Sequence, residues 1–353
     1  MTNRPNADDP TPVLEARDIH TWFPVKRGFF SKTSGYVRAV NGVSFTIYKG
    51  MTLGLVGESG CGKTTLGRTL MGLETLQSGD IRFLNRSLTR STRSETRALR
   101  QRMQMIFQDP LGSLNPRMNV LDIVTEPLEA FKMKAGDRKK RAGELLAEVG
   151  LDQSDMYRYP HEFSGGQSQR INIARAISAK PDFIVCDEMV SALDVSVQAR
   201  IINLMMDLSE NHDLSYLFIS HDLSVVSALA RHIAVMYLGK IVEYGPSAKI
   251  IGAPMHPYTQ ALISAVLSPD GHDAHEHKTH EYKTNEHKTN EHKTGGRKKE
   301  RIILKGELPS PTSPPSGCGF HTRCPKVMDI CKSTPPRPWL RGEQTARCHL
   351  YAG

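Results

Sequence analysis

The chain has 353 residues, 39% of them apolar and 24% charged, with a formal net charge of +9. This length exceeds one small core and the composition is that of an ordinary globular protein, which excludes a disordered or fibrous chain. No apolar run approaches the ~18 residues that a membrane span needs, and the polar start MTNRPNADDP carries no apolar signal segment, so a cytoplasmic location is expected.

The basic balance suits nucleic acid or an anionic membrane face and does not choose between them. Six cysteines in a chain without an export signal are expected to be reduced. Two of them, Cys61 and Cys186, fall inside candidate site motifs, and the other four crowd into the last stretch of the chain.

In chain order, Leu14 to Phe23 has the β-branched, aromatic character of an edge strand, and Pro24 to Val40 reads as a loop with a basic, aromatic tip. Val43, Phe45 and Ile47 alternate with period two and predict a strand. The stretch Leu53 to Met71, LGLVGESGCGKTTLGRTLM, then completes the pattern G-x-x-x-x-G-K-[ST] between a short apolar strand and a helix. Glycines there let backbone N–H groups turn inward around phosphate oxygens, and the following helix offers its positive end to the same anion. Gly57, Ser59, Gly60, Cys61, Gly62, Lys63, Thr64 and Thr65 are the candidate cradle, with Lys63 reaching the β and γ phosphates and Thr64 holding Mg²⁺. By itself this motif says only that a nucleoside triphosphate binds.

Strands are predicted next at Asp80 to Leu84 and Met103 to Phe107, with the Arg-rich piece Thr89 to Arg102 between them read as a solvated helix. From about Asn119 to Tyr159 the apolar residues fall at helical spacing with no strand signal, which predicts an inserted helical subdomain (about 115–165). Strand signals return at Phe183 to Cys186, Tyr216 to Ile219 and Ile233 to Tyr237, and Leu238 to Lys240 reads as a hairpin turn. Alternating strands and helices predict a parallel sheet covered on both faces, with nucleotide at the carboxyl ends of the strands.

FIVCDE, Phe183 to Glu188, is a buried strand ending in two carboxylates: Asp187 for Mg²⁺ and Glu188 to polarise the attacking water. In FSGGQ, Ser164 caps a helix predicted from about Gln167 to Ala179, and Gly165 and Gly166 leave its N–H groups bare for an anion. Gln108 follows a strand, Asp194 closes SALD, and His221 in LFISHDL follows the next strand, placed to donate a hydrogen bond to a γ-phosphate. Phe23, with Trp22 as the other candidate, offers a face for stacking on a base.

These motifs, in this order, resemble the nucleotide-binding subunits of ABC transporters over Leu14 to Gly252. FQDPLGSLNPRM, YPHEFSGGQ, SALDVSVQA, HPYTQAL and GELPSP together are similar to the dipeptide and oligopeptide importer ATPases. The resemblance implies an α/β fold: a RecA-like P-loop core with an antiparallel β subdomain and the inserted helical subdomain (12–252), plus a small C-terminal Cys-rich module. It further implies that Gly57 to Thr65 of one ATPase chain and Ser164 to Gln167 of another close on one ATP. Within that sandwich Gln108 touches Mg²⁺ and reports to the membrane subunits, and Asp194 belongs to the interface. Implied partners are a second, non-identical ATPase chain, two transmembrane permease subunits and, indirectly, an extracytoplasmic peptide-binding protein, with this chain peripheral on the cytoplasmic face of the membrane. Nickel and glutathione importers have similar ATPases. A soluble ABC ATPase acting on nucleic acid or ribosomes is the rival from another class, and the chain lacks its usual second cassette or coiled-coil insert, so no nucleic-acid partner is expected. Three departures stand out: Phe163 for the commoner Leu, Thr64 for Ser, and Met189 for the Pro after Glu188.

A connecting helix is expected over 253–268, followed over 269–300 by an EHKTH-like repeat that has almost nothing to bury and reads as a disordered linker. In the final segment, 301–353, Cys318, Cys324, Cys331 and Cys348 are spaced C-x5-C-x6-C-x16-C, which admits either a zinc site or an iron–sulfur cluster. The family resemblance implies a [4Fe–4S] cluster on these four positions, in a structural rather than a redox role.

Overall fold

The computed structural model describes residues 11–27, 32–129, 134–267 and 302–352. A long hairpin opens the chain, β1 (Pro12–Arg27) against β2 (Lys32–Tyr48). The loop expected over Pro24 to Val40 is therefore mostly strand, with Trp22 opposite Arg38 and Pro24 opposite Tyr36. Proline is tolerated because the other neighbour of β1 covers only Leu14 to His20, so at Pro24 that flank is an edge where no N–H is required. After β3 (Thr52–Val56) and α1 (Lys63–Leu70), β4 (Ser78–Phe83) and β5 (Arg86–Ser87) complete a four-stranded antiparallel sheet in the order β2-β1-β4-β5.

The Arg-rich piece does form a helix, α2 (Arg93–Gln101), and its start is set by a capping box. Glu95 N–H donates to Thr92 Oγ1 at 3.4 Å and Thr92 N–H donates to Glu95 Oε2 at 2.8 Å. Strand β6 (Met103–Ile106) leads into α3 (Val120–Glu129) and α4 (Ala135–Glu148), two short 3₁₀ turns, and α5 (Gly165–Ser178). Val120, Ile123 and Val124 of α3 and Ala142, Leu145 and Leu146 of α4 are fully buried at helical spacing against Ile171 and Ala174 of α5. One apolar cluster thus holds the three helices together.

The main sheet takes β7 (Phe183–Asp187), then β8 (Ser215–Ser220) after α6 (Val195–His212), and β9 (His232–Tyr237) after α7 (Leu223–Leu229). Strands β9, β3, β8, β7 and β6 run parallel, as the alternation of elements predicts. Their side chains divide strictly by parity: Phe183, Val185, Leu217 and Ile219 join the core shared with the antiparallel sheet and α1, while Ile184, Cys186, Tyr216 and Phe218 join the core shared with the helices. A strand apolar on both faces is one that must be covered on both, which is why these stretches read as continuous apolar runs.

Leu238 (φ 43°) and Gly239 (φ 76°) turn the chain into β10 (Lys240–Pro246), followed by α8 (Ser247–Gly252) and α9 (Pro257–Leu267). The repeat over 269–300 lies outside the described residues. The final segment carries α10 (Asp329–Ser333), β11 (Trp339–Arg341) and β12 (Gln344–Ala346). β12 pairs with β10, so this segment extends the main sheet to eight strands. Glu243 of β10, 1% exposed, ties it down by accepting from Gln344 Nε2 (2.6 Å) and from the N–H groups of Met255 and His256.

Candidate active site

The parallel strands end level with one another, Val56 beside Ser220, Ile219 beside Asp187, and Cys186 beside Ile106. Whatever follows each strand therefore falls on one rim, which is where an α/β sheet offers its site.

After β3 the chain turns through Gly57, Gly60 and Gly62 into α1. Gly62 sits at φ 109°, and a Cβ there would strike the carbonyl oxygen of Ala39, so β2 closes against the loop only because this residue has none. The β9–β10 turn braces the other side, Gly239 N–H donating to the Cys61 carbonyl at 2.8 Å. Cys61 is 1% exposed and burial pushes its thiol pKa up, so it packs rather than reacts. Ser59 and Gly60 are exposed at the mouth of the loop and Thr65 is half-buried behind it.

Lys63 is buried, and its Nζ donates to the carbonyls of Gly57 (2.8 Å) and Glu58 (3.2 Å) and stands 3.6 Å from Glu188 Oε1. Thr64 Oγ1 donates to Asp187 Oδ1 at 2.9 Å. Burial pushes the Asp187 carboxyl above its usual range, with the Thr64 bond opposing. A hydroxyl and a carboxylate oxygen side by side, with the carboxylate lacking enough positive charge, are a donor set that fits Mg²⁺.

Glu188 is in the left-handed region at φ 45°, with its N–H tied to the Ile219 carbonyl at 3.0 Å. Met189 and Val190 behind it are buried in the core, so the turn is anchored although Met stands where the family resemblance expects Pro. Gln108, past the end of β6, donates from Nε2 to Glu188 Oε2 at 3.2 Å, and His221 Nδ1, past the end of β8, lies 3.4 Å from the same oxygen. Lys63, Gln108, Glu188 and His221 thus surround one point on the rim, with Thr64 and Asp187 beside it.

Ser164 caps α5 as expected, accepting from Gln167 N–H at 3.4 Å while Gln167 Oε1 accepts from Ser164 N–H at 3.0 Å. The helix begins at Gly165, two residues earlier than the sequence reading, so Gly165 and Gly166 are its first turn, where amides have no intrahelical partner. A Cβ on Gly166 would lie 2.6 Å from Val197 Cγ1, and one on Gly165 would lie 3.4 Å from Leu193. The signature turn therefore packs on the start of α6, beside exposed Asp194 at its cap. Among the described residues no hydrogen bond or ion pair joins Ser164 to Gln167 with Gly57 to Thr65.

Of the two aromatic candidates, Trp22 is engaged by Arg38, whose guanidinium lies 5.1 Å from the ring centre, and by Tyr36 and His20. Phe23 is exposed and stands opposite Val37 in the hairpin. A cavity of about 720 Å³ runs from Asp187 and Gln108 past Phe107 to Glu126 and Arg175 of the helical layer.

Cys331 and Cys348 are buried, and Cys318 and Cys324 are half-buried against the main core. Burial is the first cause that pushes up the pKa of Cys318, Cys324 and Cys348, the last to about 11, and neighbouring cysteines add to each. Backbone N–H groups already point at three of the sulfurs, Lys326 N–H reaching Cys324 Sγ at 3.4 Å. Among the described residues no group of three or more His, Cys, Asp or Glu is set to hold a metal ion.

Tyr258, passed over in the sequence reading as part of the HPYTQAL marker, reaches the site from α9: its hydroxyl accepts the Glu58 N–H at 2.8 Å. Only its place two residues after His256 in that marker pointed to it.

A family model described as ABC transporter matches residues 40–191, and one described as oligopeptide/dipeptide transporter, C-terminal region, matches 242–296 and 292–331. The chain is 47% identical to the oligopeptide transport ATP-binding protein AppF of Bacillus subtilis over 96% of its own length and 98% of that protein. This chain belongs to the ABC transporter ATP-binding proteins. The same ABC ATPase is 44% identical to the dipeptide transport ATP-binding protein DppF of Escherichia coli, covering 96% of this chain and 94% of the relative. Among solved structures it is similar to the ATP-binding cassette MJ0796, described as a dimer in a post-hydrolysis state bound to ADP and Pi, at a TM-score of 0.59 and 26% identity over 66% of this chain and 98% of that one. The α/β P-loop fold of this ABC ATPase is thus that of the family. Among its described residues no helix is long and apolar enough to cross a membrane.

Proposed function

We propose that this ABC ATPase hydrolyses ATP to energise the uptake of dipeptides or oligopeptides. The observation that carries the reading is near-full-length similarity to oligopeptide and dipeptide transport ATP-binding proteins, joined to a rim on which Lys63, Gln108, Glu188 and His221 converge.

In this reading the amides of Gly57 to Thr65 wrap the triphosphate and Phe23 stacks on the adenine. Phosphate oxygens compete with the Gly57 and Glu58 carbonyls for the Lys63 ammonium. Glu188 accepts a hydrogen bond from the attacking water, Gln108 orients the carboxylate, and His221 donates to the γ-phosphate. Thr64, Asp187 and Gln108 would hold Mg²⁺, which when bound supplies charge neutralisation at the phosphates. In this reading the bare amides of Gly165 and Gly166 meet a phosphate held by a second ATPase chain, as the family resemblance implies, with Asp194 at the dimer interface.

The same reading assigns 12–252 to the ATPase domain, 253–268 to a connecting helix, 269–300 to a linker and 301–353 to a Cys-rich module. Cys318, Cys324, Cys331 and Cys348 would hold a [4Fe–4S] cluster, a structural cross-link between loops. Two permease subunits meet the cavity beside Gln108 on the cytoplasmic face of the membrane, and an extracytoplasmic binding protein delivers the peptide. Uptake of a radiolabelled dipeptide by cells lacking the chain's gene, restored by the wild type and not by Glu188→Gln, is the expected result. Undiminished uptake in the deletion strain would overturn the cargo, and iron with labile sulfide in anaerobically purified protein tests the cluster.

A further inference from the structure

Glu58, the first variable residue of the cradle, is held by the C-terminal part of the chain. Its carboxylate Oε2 accepts from Arg323 Nη1 at 2.7 Å, and its N–H donates to the Tyr258 hydroxyl at 2.8 Å. The Arg323 side chain is only 9% exposed, against 28% for Glu58. Arg323 lies on the short loop between Cys318 and Cys324. Phe320 of the same loop is 2% exposed and wedged among Tyr237, Tyr258 and His256, at ring distances of 5.2, 5.4 and 5.6 Å. The loop is thus fixed in the core, and the guanidinium it presents is aimed.

An acidic side chain in a loop that wraps a triphosphate is an electrostatic liability. The carboxylate and the phosphates are like charges in a partly desolvated place, where repulsion is felt strongly. Arg323 neutralises that carboxylate and draws it toward the C-terminal loop. Tyr258 fixes the backbone of the same residue. These contacts join positions 58 and 323 across 265 residues.

We propose that Arg323 is a positioning residue for ATP: it neutralises Glu58 and turns it from the triphosphate, so the C-terminal loop braces the phosphate cradle. The proposal rests on reading the P-loop as the ATP site. The test uses the full-length chain with Mg·ATP, measuring KM and kcat for hydrolysis and the binding of a fluorescent ATP analogue. Arg323→Met keeps the apolar stem and removes the charge; we expect KM to rise about tenfold, the scale of a lost charged hydrogen bond, with kcat nearly unchanged. Arg323→Lys should recover much of the affinity, and Glu58→Gln combined with Arg323→Met should recover most of it, since the repulsive charge is then gone. A merely structural role predicts no such rescue. Unchanged KM in Arg323→Met, or failure of the double variant to recover, overturns the brace. If Arg323→Met does not fold, an unchanged KM in the charge-removing Arg323→Gln overturns it equally. A wild-type chain that binds no Mg·ATP at all would instead sink the reading of the site.

Discussion

Gln108 and Glu188 meet through one hydrogen bond, Nε2 to Oε2 at 3.2 Å, across 80 residues of sequence. They meet because β6 and β7 are parallel neighbours whose ends are level, so Gln108, two residues past β6, and Glu188, the residue after β7, leave the sheet side by side. Replacing Glu188 by Gln removes the proton acceptor while keeping the amide's size. We expect ATP turnover to fall by about 10²- to 10⁴-fold, the range for loss of a general base, with ATP still bound. Size-exclusion chromatography with Mg·ATP should then show a closed dimer; full turnover would remove Glu188 from its role.

The Thr64–Asp187 contact makes a second prediction, about the metal. Thr64→Val keeps the shape and loses the hydroxyl. ATP affinity in Mg²⁺ should drop at least about tenfold, given the several kcal/mol a bound cation contributes at phosphates. Titration with and without EDTA should then give nearly the same affinity in the variant. A variant that retains the full Mg²⁺ effect would show that Thr64 is not a ligand.

Packing at the signature turn is testable by a pair of substitutions. Gly166→Ala places a methyl 2.6 Å from Val197 Cγ1, an overpacking that costs about 1–3 kcal/mol. Adding Val197→Ala should return most of that loss, because the two positions touch. Thermal unfolding of the single and double variants gives the coupling directly, and additive losses would rule the contact out.

His256 sets a pH dependence. It is fully buried, with Nδ1 accepting the Tyr258 N–H at 3.1 Å, and burial depresses its pKa from 6.5 to about 3. The folded state therefore binds fewer protons than the unfolded one between those values. The stabilisation is present above pH 6.5 and is lost as the pH falls, by about 1.4 kcal/mol per unit. Glu243, whose carboxyl burial pushes up, tilts the curve the other way above pH 4.5, so the comparison must be with a His256→Asn variant. From pH 7 to pH 5.5 the wild-type Tm should fall about 2–4 °C further than that of the variant. Parallel curves would mean that His256 takes a proton in the folded state.

The motifs spoke for themselves: G-x-x-x-x-G-K-T, the two carboxylates after a buried strand, and the serine-glycine turn are local, because backbone geometry and anion chemistry fix which residue types stand at which spacing. The five parallel strands were equally legible, since a strand covered on both faces must be apolar at every position. Two errors had one physical cause. Pro24 to Val40 read as a loop because whether a strand can run through Pro24 depends on whether a neighbouring strand is present at that point, and β11 and β12 went unread because each is only three residues long and exists by pairing, β12 on β10 and β11 on β12. The convergence of Lys63, Gln108, Glu188 and His221, and the reach of Arg323 and Tyr258 to Glu58, belong to the tertiary structure alone. Spacing along the chain carries no information about which strand ends lie level or which loop closes over which. Those relations are decided by the order of strands in the sheet and by the aromatic packing that fixes the C-terminal loop.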